Sequence, residues 1–281
     1  MHRRDFLATS GAALAGSLPA RLRTSTFDLR PLTLPPPGIQ LYSLRAEMER
    51  SVEETLARLG ALGYREVEFA GYFGRTPAQV RAAVRAAGLV APAAHVPLES
   101  LEGDALPATA DAALEAGHRG LVVAWLPEAR RGSLDAWHAM ADRFNAIGQA
   151  LQARGLHYAY HNHDFEFVPL EGRVPYDVLL ERADPAVTTL ELDLFWATRA
   201  GRDPLALVRD HPRRFALLHV KDSSGPPEHR QVDVGAGTID FAAILAAAGG
   251  SVIHAFIEHD QPPDPWAFAA ASLAAYRGLG A

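Results

Sequence analysis

The feature that most constrains the fold is a repeat of one unit, a short apolar run followed by a segment with helical periodicity. Eight apolar runs begin near residues 38, 64, 89, 120, 156, 187, 215 and 252. The segments between them are rich in Ala, Leu and Arg, and several end at glycines, as at Gly63, Gly88, Gly117 and Gly155. Eight alternating strand–helix units, with no residues left for a second domain, predict an α/β protein with a single (β/α)8 TIM barrel.

A doubly wound open sheet is the alternative arrangement of the same elements. It would be expected to carry a glycine-rich dinucleotide fingerprint after its first strand. Residues 40–44, Gln-Leu-Tyr-Ser-Leu, do not match such a fingerprint, because they contain no glycine. The barrel is therefore favoured.

The N-terminus is interpreted as a targeting segment. The arginine pair Arg3-Arg4 is followed by Phe6-Leu7 and then by a weakly apolar run over residues 8–20, which resembles a twin-arginine signal peptide. The run is too short for a membrane anchor, and a basic disordered tail is the alternative. We interpret residues 1–37 as signal peptide and Pro-rich linker, and residues 38–281 as the barrel domain. The expected location is the periplasm.

Composition excludes several classes of function. Cysteine is absent, which rules out a thiol nucleophile, a disulfide scaffold and an iron–sulfur site. A net charge of −6 argues against nucleic acid as a partner. Lys221 is the single lysine among 27 cationic residues, which indicates a position that needs a compact ammonium group, with compositional chance as the alternative. Composition leaves open whether the protein is a homo-oligomer.

Polar residues at the predicted strand ends are the candidate site. The C-terminal ends of barrel strands meet at one mouth, where catalytic residues lie. His161 and His163 are two residues apart on a strand and therefore share a face. The residues collected in this way are Gln40, Glu68, His95, His161, His163, Glu166, Glu191, Asp193, His219, Lys221, Asp222, Glu258 and Asp260.

Four of these residues predict one divalent metal ion. His161, Asp193, His219 and Glu258 follow one another at intervals of about one strand–helix unit. Charged groups in apolar strands are costly unless they are compensated, and one ion offsets all of them together. Two nitrogen and two carboxylate donors suit Mn, Zn, Fe or Co better than Ca. The alternative to a metal site is a set of four salt-bridged strand ends. A second alternative is that His163 replaces His161 as the strand-five ligand.

Several blocks of the sequence together resemble a known family. From Gly38 to the C-terminus, the chain resembles the xylose-isomerase-like barrels described as sugar phosphate isomerases/epimerases. The blocks that carry the resemblance are residues 38–44, 161–167, 192–196, 219–222, 235–240 and 257–258. The resemblance implies a divalent metal, with the family's ligands falling on His161, Asp193, His219 and Glu258.

The expected reaction is metal-assisted proton abstraction next to the carbonyl of a sugar or keto-sugar. Family epimerases use two glutamates as bases, and His161 stands in place of the first, which puts that mechanism in doubt. Glu166 is the candidate to replace the lost carboxylate. The predicted catalytic residues are Glu258, His161 and Lys221. The predicted substrate-binding residues are Gln40, Glu68, His95, His163, Glu166 and Trp196.

Three other functions are kept as alternatives. One is a lyase or hydrolase of 3-keto-glycosides that uses the same enediolate chemistry. Another is a non-catalytic periplasmic sugar-binding protein. The last, phosphodiester hydrolysis on this fold, is opposed by the acidic balance of the chain.

Overall fold

The structure, a computed structural model, describes residues 34–280, so the predicted signal peptide and most of the linker lie outside the described residues. Eight parallel strands form a closed barrel in which the first strand pairs with both the second and the last. The barrel strands are β1 Pro37–Gln40, β2 Glu66–Ala70, β3 Val90–His95, β4 Gly120–Val123, β5 His157–His161, β6 Thr188–Asp193, β7 Phe215–Val220 and β10 His254–Ile257. The predicted single (β/α)8 barrel is confirmed.

Helices cover the outside of the barrel. Thr76 begins one of them with a reciprocal capping box to Gln79, and Pro77 occupies its first turn. Gly63 and Gly117 end two others in the left-handed conformation, as the glycine pattern predicts. The helices are α1 Arg45–Arg50, α2 Val52–Leu62, α3 Pro77–Ala86, α4 Ala105–Ala116, α5 Leu134–Gln152, α6 Pro175–Arg182, α7 Leu194–Arg199, α8 Pro204–Asp210, α9 Phe241–Ala248 and α10 Pro265–Gly278.

A short hairpin follows the seventh strand and was not predicted. Its strands are β8 Asp222–Ser223 and β9 Gln231–Val232. The Asp222 carboxylate accepts hydrogen bonds from the backbone N–H groups of Ser223, Gly235, Gly237 and Ile239. A Cβ atom at Gly237 would overlap that carboxylate, which explains the glycine in this loop. The loop is thereby fixed beside the mouth of the barrel.

The core has two parts, as the alternation of a closed sheet requires. The outward-facing side chains of the strands pack against the helices in one large cluster. The inward-facing side chains form a small cluster, which we call the apolar layer, made of Ala93, Val122, Ala159, Leu217 and Phe256. This layer fills the middle of the barrel, so polar groups are confined to its two ends. Within residues 34–280, no helix combines the length and apolar character needed to cross a membrane.

Candidate active site

A cavity of about 480 Å³ opens at the C-terminal mouth of the barrel. It contains five of the residues predicted to be catalytic, substrate-binding or metal-ligating, His95, His161, His163, Lys221 and Glu258. The other lining residues are Tyr42, Ala70, Ala124, Trp125, Asp260 and Gln261. Its volume falls in the range typical of small-molecule sites.

Three predicted metal ligands converge beside this cavity, which Glu258 lines, while Asp193 and His219 are fully buried. Asp193, His219 and Glu258 each offer one donor atom, and these atoms lie within 4.8 Å of one another. Nδ1 of His219 is 2.7 Å from Oε2 of Glu258 and 3.9 Å from Oδ2 of Asp193. The fourth predicted ligand, His161, has its Nε2 3.9 Å from the same Asp193 oxygen. We call Asp193, His219 and Glu258 the upper group.

The two oxygens of Asp193 have different surroundings. Oδ1 accepts a hydrogen bond from the backbone N–H of Trp196 at 2.8 Å and so caps helix α7. The cap fixes the carboxylate, while Oδ2 is buried and lies 3.0 Å from Nζ of Lys221. A buried carboxylate oxygen of this kind, beside a convergent imidazole and a second carboxylate, fits a divalent ion such as Mn, Zn, Fe or Co.

A second convergence lies deeper and was not predicted. His95, His161, Glu191 and His219 also bring one donor atom each to within 4.8 Å. Oε2 of Glu191 is 2.8 Å from Nε2 of His95 and 3.3 Å from both Nδ1 of His161 and Nε2 of His219. Nδ1 of His161 makes no hydrogen bond. We call these four residues the deep group, and it shares His219 with the upper group.

Gln40 and Glu68 lie behind the histidines and do not line the cavity. Glu68 is fully buried, and its Oε2 accepts a hydrogen bond from Nε2 of Gln40 at 2.8 Å. The same oxygen is 2.8 Å from Nε2 of His219 and 3.2 Å from Nε2 of His95. A carboxylate on one ring nitrogen holds the other toward a ligand position, here Nδ1 toward Asp193 and Glu258.

The carboxylates and imidazoles of this network stabilise one another's charged forms. Burial raises the pKa of Glu68, but His95 and His219 outweigh it and lower the pKa to about 2. Burial disfavours the imidazolium of His219, yet Glu191 and Glu258 raise its pKa well above the usual range. Glu258 is buried too, and Lys221 and His219 lower its pKa well below the usual range. Glu258 is therefore ionised at neutral pH.

The imidazoles that line the cavity differ in charge. Burial, and then the neighbouring His219, lowers the pKa of His161 well below the usual range. Burial, and then Lys221, lowers the pKa of His163 to about 3. In His95 the carboxylates of Glu68 and Glu191 overcome burial and raise the pKa to about 9. Among these imidazoles, His161 and His163 are thus neutral acceptors and His95 is a charged donor.

Lys221 lies between three carboxylates. Its Nζ is 3.0 Å from Oδ2 of Asp193, 2.7 Å from Oε2 of Glu258 and 2.8 Å from Oδ1 of Asp260. The sequence placed Asp260 at the end of the last strand, but only the structure shows that it pairs with Lys221. Gln231 on the unpredicted hairpin holds Asp260 through its side-chain amide.

Glu166 faces the core rather than the cavity. It is fully buried in the 3₁₀ turn Phe165–Phe167, where it accepts hydrogen bonds from the Tyr160 hydroxyl at 2.6 Å and the His163 backbone N–H at 2.9 Å. Burial raises its pKa to about 8. Trp196, also predicted to bind substrate, packs with its ring centroid 5.4 Å from that of His163 and 5.6 Å from Nζ of Lys221. Neither Glu166 nor Trp196 lines the cavity.

The fold and these strand-end residues define a family. The chain belongs to the xylose isomerase-like TIM barrel family, whose profile matches residues 56–275. Among curated proteins it is similar to an inosose dehydratase from Bacillus anthracis (strain CDC 684 / NRRL 3495), with 28% identity over 88 residues. That match covers 31% of this chain and 29% of the relative, less than a third of the relative's length.

Solved structures agree on the architecture. A sugar phosphate isomerase/epimerase from Parabacteroides distasonis ATCC 8503 has a TM-score of 0.74 at 24% identity, over 89% of this chain and 96% of that chain. An L-ribulose 3-epimerase has a TM-score of 0.64 at 19% identity, over 88% of this chain and 94% of that chain. At these identities the similarity establishes the shared fold.

Proposed function

We propose that this protein is a divalent-metal-dependent sugar isomerase or epimerase that abstracts a proton next to the carbonyl of a sugar or keto-sugar. The observation that carries the proposal is the upper group, since Asp193, His219 and Glu258 place three donor atoms within 4.8 Å of one another beside a cavity that Glu258 lines. His161 is the proposed fourth ligand. A bound divalent ion would polarise a carbonyl and hydroxyl pair and stabilise the developing enediolate.

The residues around the ligands have distinct proposed roles. Glu258 is ionised and lines the cavity, so its carboxylate is the proposed base for the substrate C–H. His161 is neutral, and its imidazole is the proposed group that accepts a proton from the substrate or returns one to it. His95 and Lys221 are the proposed donors to substrate oxygens, because both are cationic and line the cavity. Glu68 is proposed to hold His219, and Glu166 to hold the His163 backbone.

A lyase reaction is the second candidate, and one observation favours it. Glu166, the carboxylate expected to complete a pair of bases, turns into the core toward Tyr160. Of the predicted catalytic residues, Glu258 is then the one carboxylate that lines the cavity, next to His161 and His163. One carboxylate with neutral imidazoles suits proton abstraction followed by loss of a leaving group. The similarity to an inosose dehydratase over 88 residues is consistent with a lyase reaction.

The test combines metal content with isotope exchange. Asp193→Ala and His219→Ala proteins should lose bound Mn or Zn on elemental analysis and should not exchange solvent deuterium into a trial keto-sugar. Asp142→Ala is the matched control, because Asp142 pairs with Arg182 on the surface far from these ligands in the chain. Full metal retention in the Asp193 and His219 variants would contradict the proposal. A second product would indicate the lyase, and sugar binding without exchange would indicate a binding protein.

We also propose that residues 1–37 direct export to the periplasm. The support is the sequence pattern Arg3-Arg4 followed by Phe6-Leu7. Cell fractionation should find the wild-type protein in the periplasm and the Arg3→Lys, Arg4→Lys variant in the cytoplasm. Equal distribution of the two proteins would contradict the proposal.

A further inference from the structure

The ammonium of Lys221 contacts the two carboxylate oxygens of the upper group that lie nearest to His219. Oδ2 of Asp193 and Oε2 of Glu258 are the atoms nearest to His219, and both lie within 3.0 Å of Nζ. A third carboxylate, Asp260, lies 2.8 Å from Nζ on the side of the open cavity. Lys221 is itself 1% exposed, so these carboxylates are its surroundings.

We propose that Lys221 is an internal cation that competes with the divalent ion for Asp193 and Glu258, and that Asp260 keeps the ammonium when the ion binds. The inference rests on the metal site of the proposed function. The proposed function requires neither of the two roles assigned here. Lys221 lowers the affinity for the metal, and Asp260 offsets part of that loss.

The charges support a competition. Asp193 and Glu258 are buried, and buried carboxylates without a compensating cation are strongly destabilising. Lys221 supplies that compensation from within the chain. An ion that takes the same two oxygens must replace an existing ion pair, so the free energy of metal binding is reduced by the loss of that pair.

Asp260 is built to receive the displaced ammonium. Its side chain is 30% exposed, and its backbone N–H and its carboxylate both bond to the side chain of Gln231. Its position is therefore held by the hairpin rather than by the upper group. A flexible lysine can shift between such partners, whereas the planar guanidinium of arginine fits one fixed geometry, which accounts for the single lysine of the chain.

The experiment measures Mn²⁺ affinity by calorimetry in four proteins and a control. Lys221→Met should bind Mn²⁺ at least about tenfold more tightly than wild type, an effect of the size seen for groups next to metal ligands. Asp260→Asn should bind it several-fold more weakly. In the double variant, Asp260→Asn should have no further effect, because the ammonium it serves is gone.

Arg199→Met is the matched control. Its guanidinium carbon lies 5.7 Å from the Trp196 ring, as Nζ of Lys221 lies 5.6 Å from it, but Arg199 pairs with Asp164 instead of the metal ligands. It therefore removes one positive charge from the same region, and its affinity should stay close to wild type. An equal gain in Arg199→Met and Lys221→Met would overturn the competition and leave only a general charge effect.

Thermal melting gives an independent measurement, with all proteins purified in Mn²⁺ and then treated with EDTA. Lys221→Met should melt lower than wild type in EDTA and should regain more stability on adding Mn²⁺. If wild type binds Mn²⁺ and Lys221→Met binds it no more tightly, the competition is wrong and the proposed function stands. If only Lys221→Met binds Mn²⁺, the competition is supported and the proposed function is contradicted. Failure of both to bind would overturn both.

Discussion

Two glutamate–histidine pairs begin on the same strand, β2, and they behave differently. Glu66 pairs with His254 and Glu68 pairs with His219, each at 2.8 Å. The first pair lies at the base of the barrel with side chains 10% and 23% exposed, and the second is fully buried below the mouth. Phe256 of the apolar layer lies between the two histidines, with its ring centroid 6.1 Å from His254 and 6.4 Å from His219.

The difference shows that the surroundings of an ion pair decide its role. The Glu66 pair lies at the base of the barrel and contains no residue of the upper or the deep group. The Glu68 pair is one link in a network that continues to Gln40, His95 and the upper group. Loss of a single charge there affects every neighbour, so the network couples stability to metal binding.

Glu68→Gln should have the largest effect. The amide removes the charge that compensates His219 and His95, so we expect a loss of about 3–5 kcal/mol in the free energy of unfolding. Mn²⁺ affinity should fall by about 10–100-fold, because the ring of His219 is no longer held. Denaturant unfolding and calorimetry measure the two effects. A variant that is as stable as wild type and binds metal equally well would show that Glu68 is an isolated pair.

Glu166→Gln tests a second buried glutamate at the same end of the barrel as Glu68. The pKa of Glu166 is raised, whereas the pKa of Glu68 is lowered. Its pKa is raised to about 8, so the folded state holds a proton that the unfolded state releases above about 4.5. Wild-type stability should therefore fall between pH 5 and pH 8, by up to about 3 kcal/mol relative to Glu166→Gln. Unfolding at several pH values measures this difference. A constant difference would contradict the assigned protonation.

Glu66→Gln should have the smallest effect. Glu66 pairs with one histidine that keeps 23% of its side-chain exposure, whereas Glu68 contacts two histidines of the buried network, so we expect a smaller loss in the free energy of unfolding than in Glu68→Gln and no change in Mn²⁺ affinity. The variant is also the control for Glu68→Gln, since both replace a glutamate on β2. A loss of metal affinity in Glu66→Gln would show that the apolar layer does not separate the two ends.

Most of the fold could be predicted from the sequence. Strand positions agree with the apolar runs to within two residues, because a closed parallel sheet keeps one buried run per strand and glycines end the intervening helices. The hairpin after β7 was missed. Its two-residue strands are too short for periodicity, and its position depends on contacts with Asp222.

The candidate site could be predicted only where side chains follow the strand alternation. His161 and Asp193 end strands and His219 is the second-last residue of its strand, so the direction of these side chains follows from the fold. The direction of Glu191 could be predicted in the same way, because Glu191 lies two residues before Asp193 on the same face of the strand. Glu166 lies in a 3₁₀ turn, where strand alternation no longer gives the direction of a side chain. The pairing of Asp260 with Lys221 depends on tertiary contacts.

The most direct test is a crystal structure of the protein soaked in Mn²⁺, with anomalous diffraction at the manganese edge. The account predicts one peak at about 2 Å from Oδ2 of Asp193, Nδ1 of His219 and Oε2 of Glu258. In that structure, Nζ of Lys221 should contact Asp260 and no longer lie within 3 Å of Asp193. A peak on the deep group, with Lys221 still between Asp193 and Glu258, would contradict the proposed metal site.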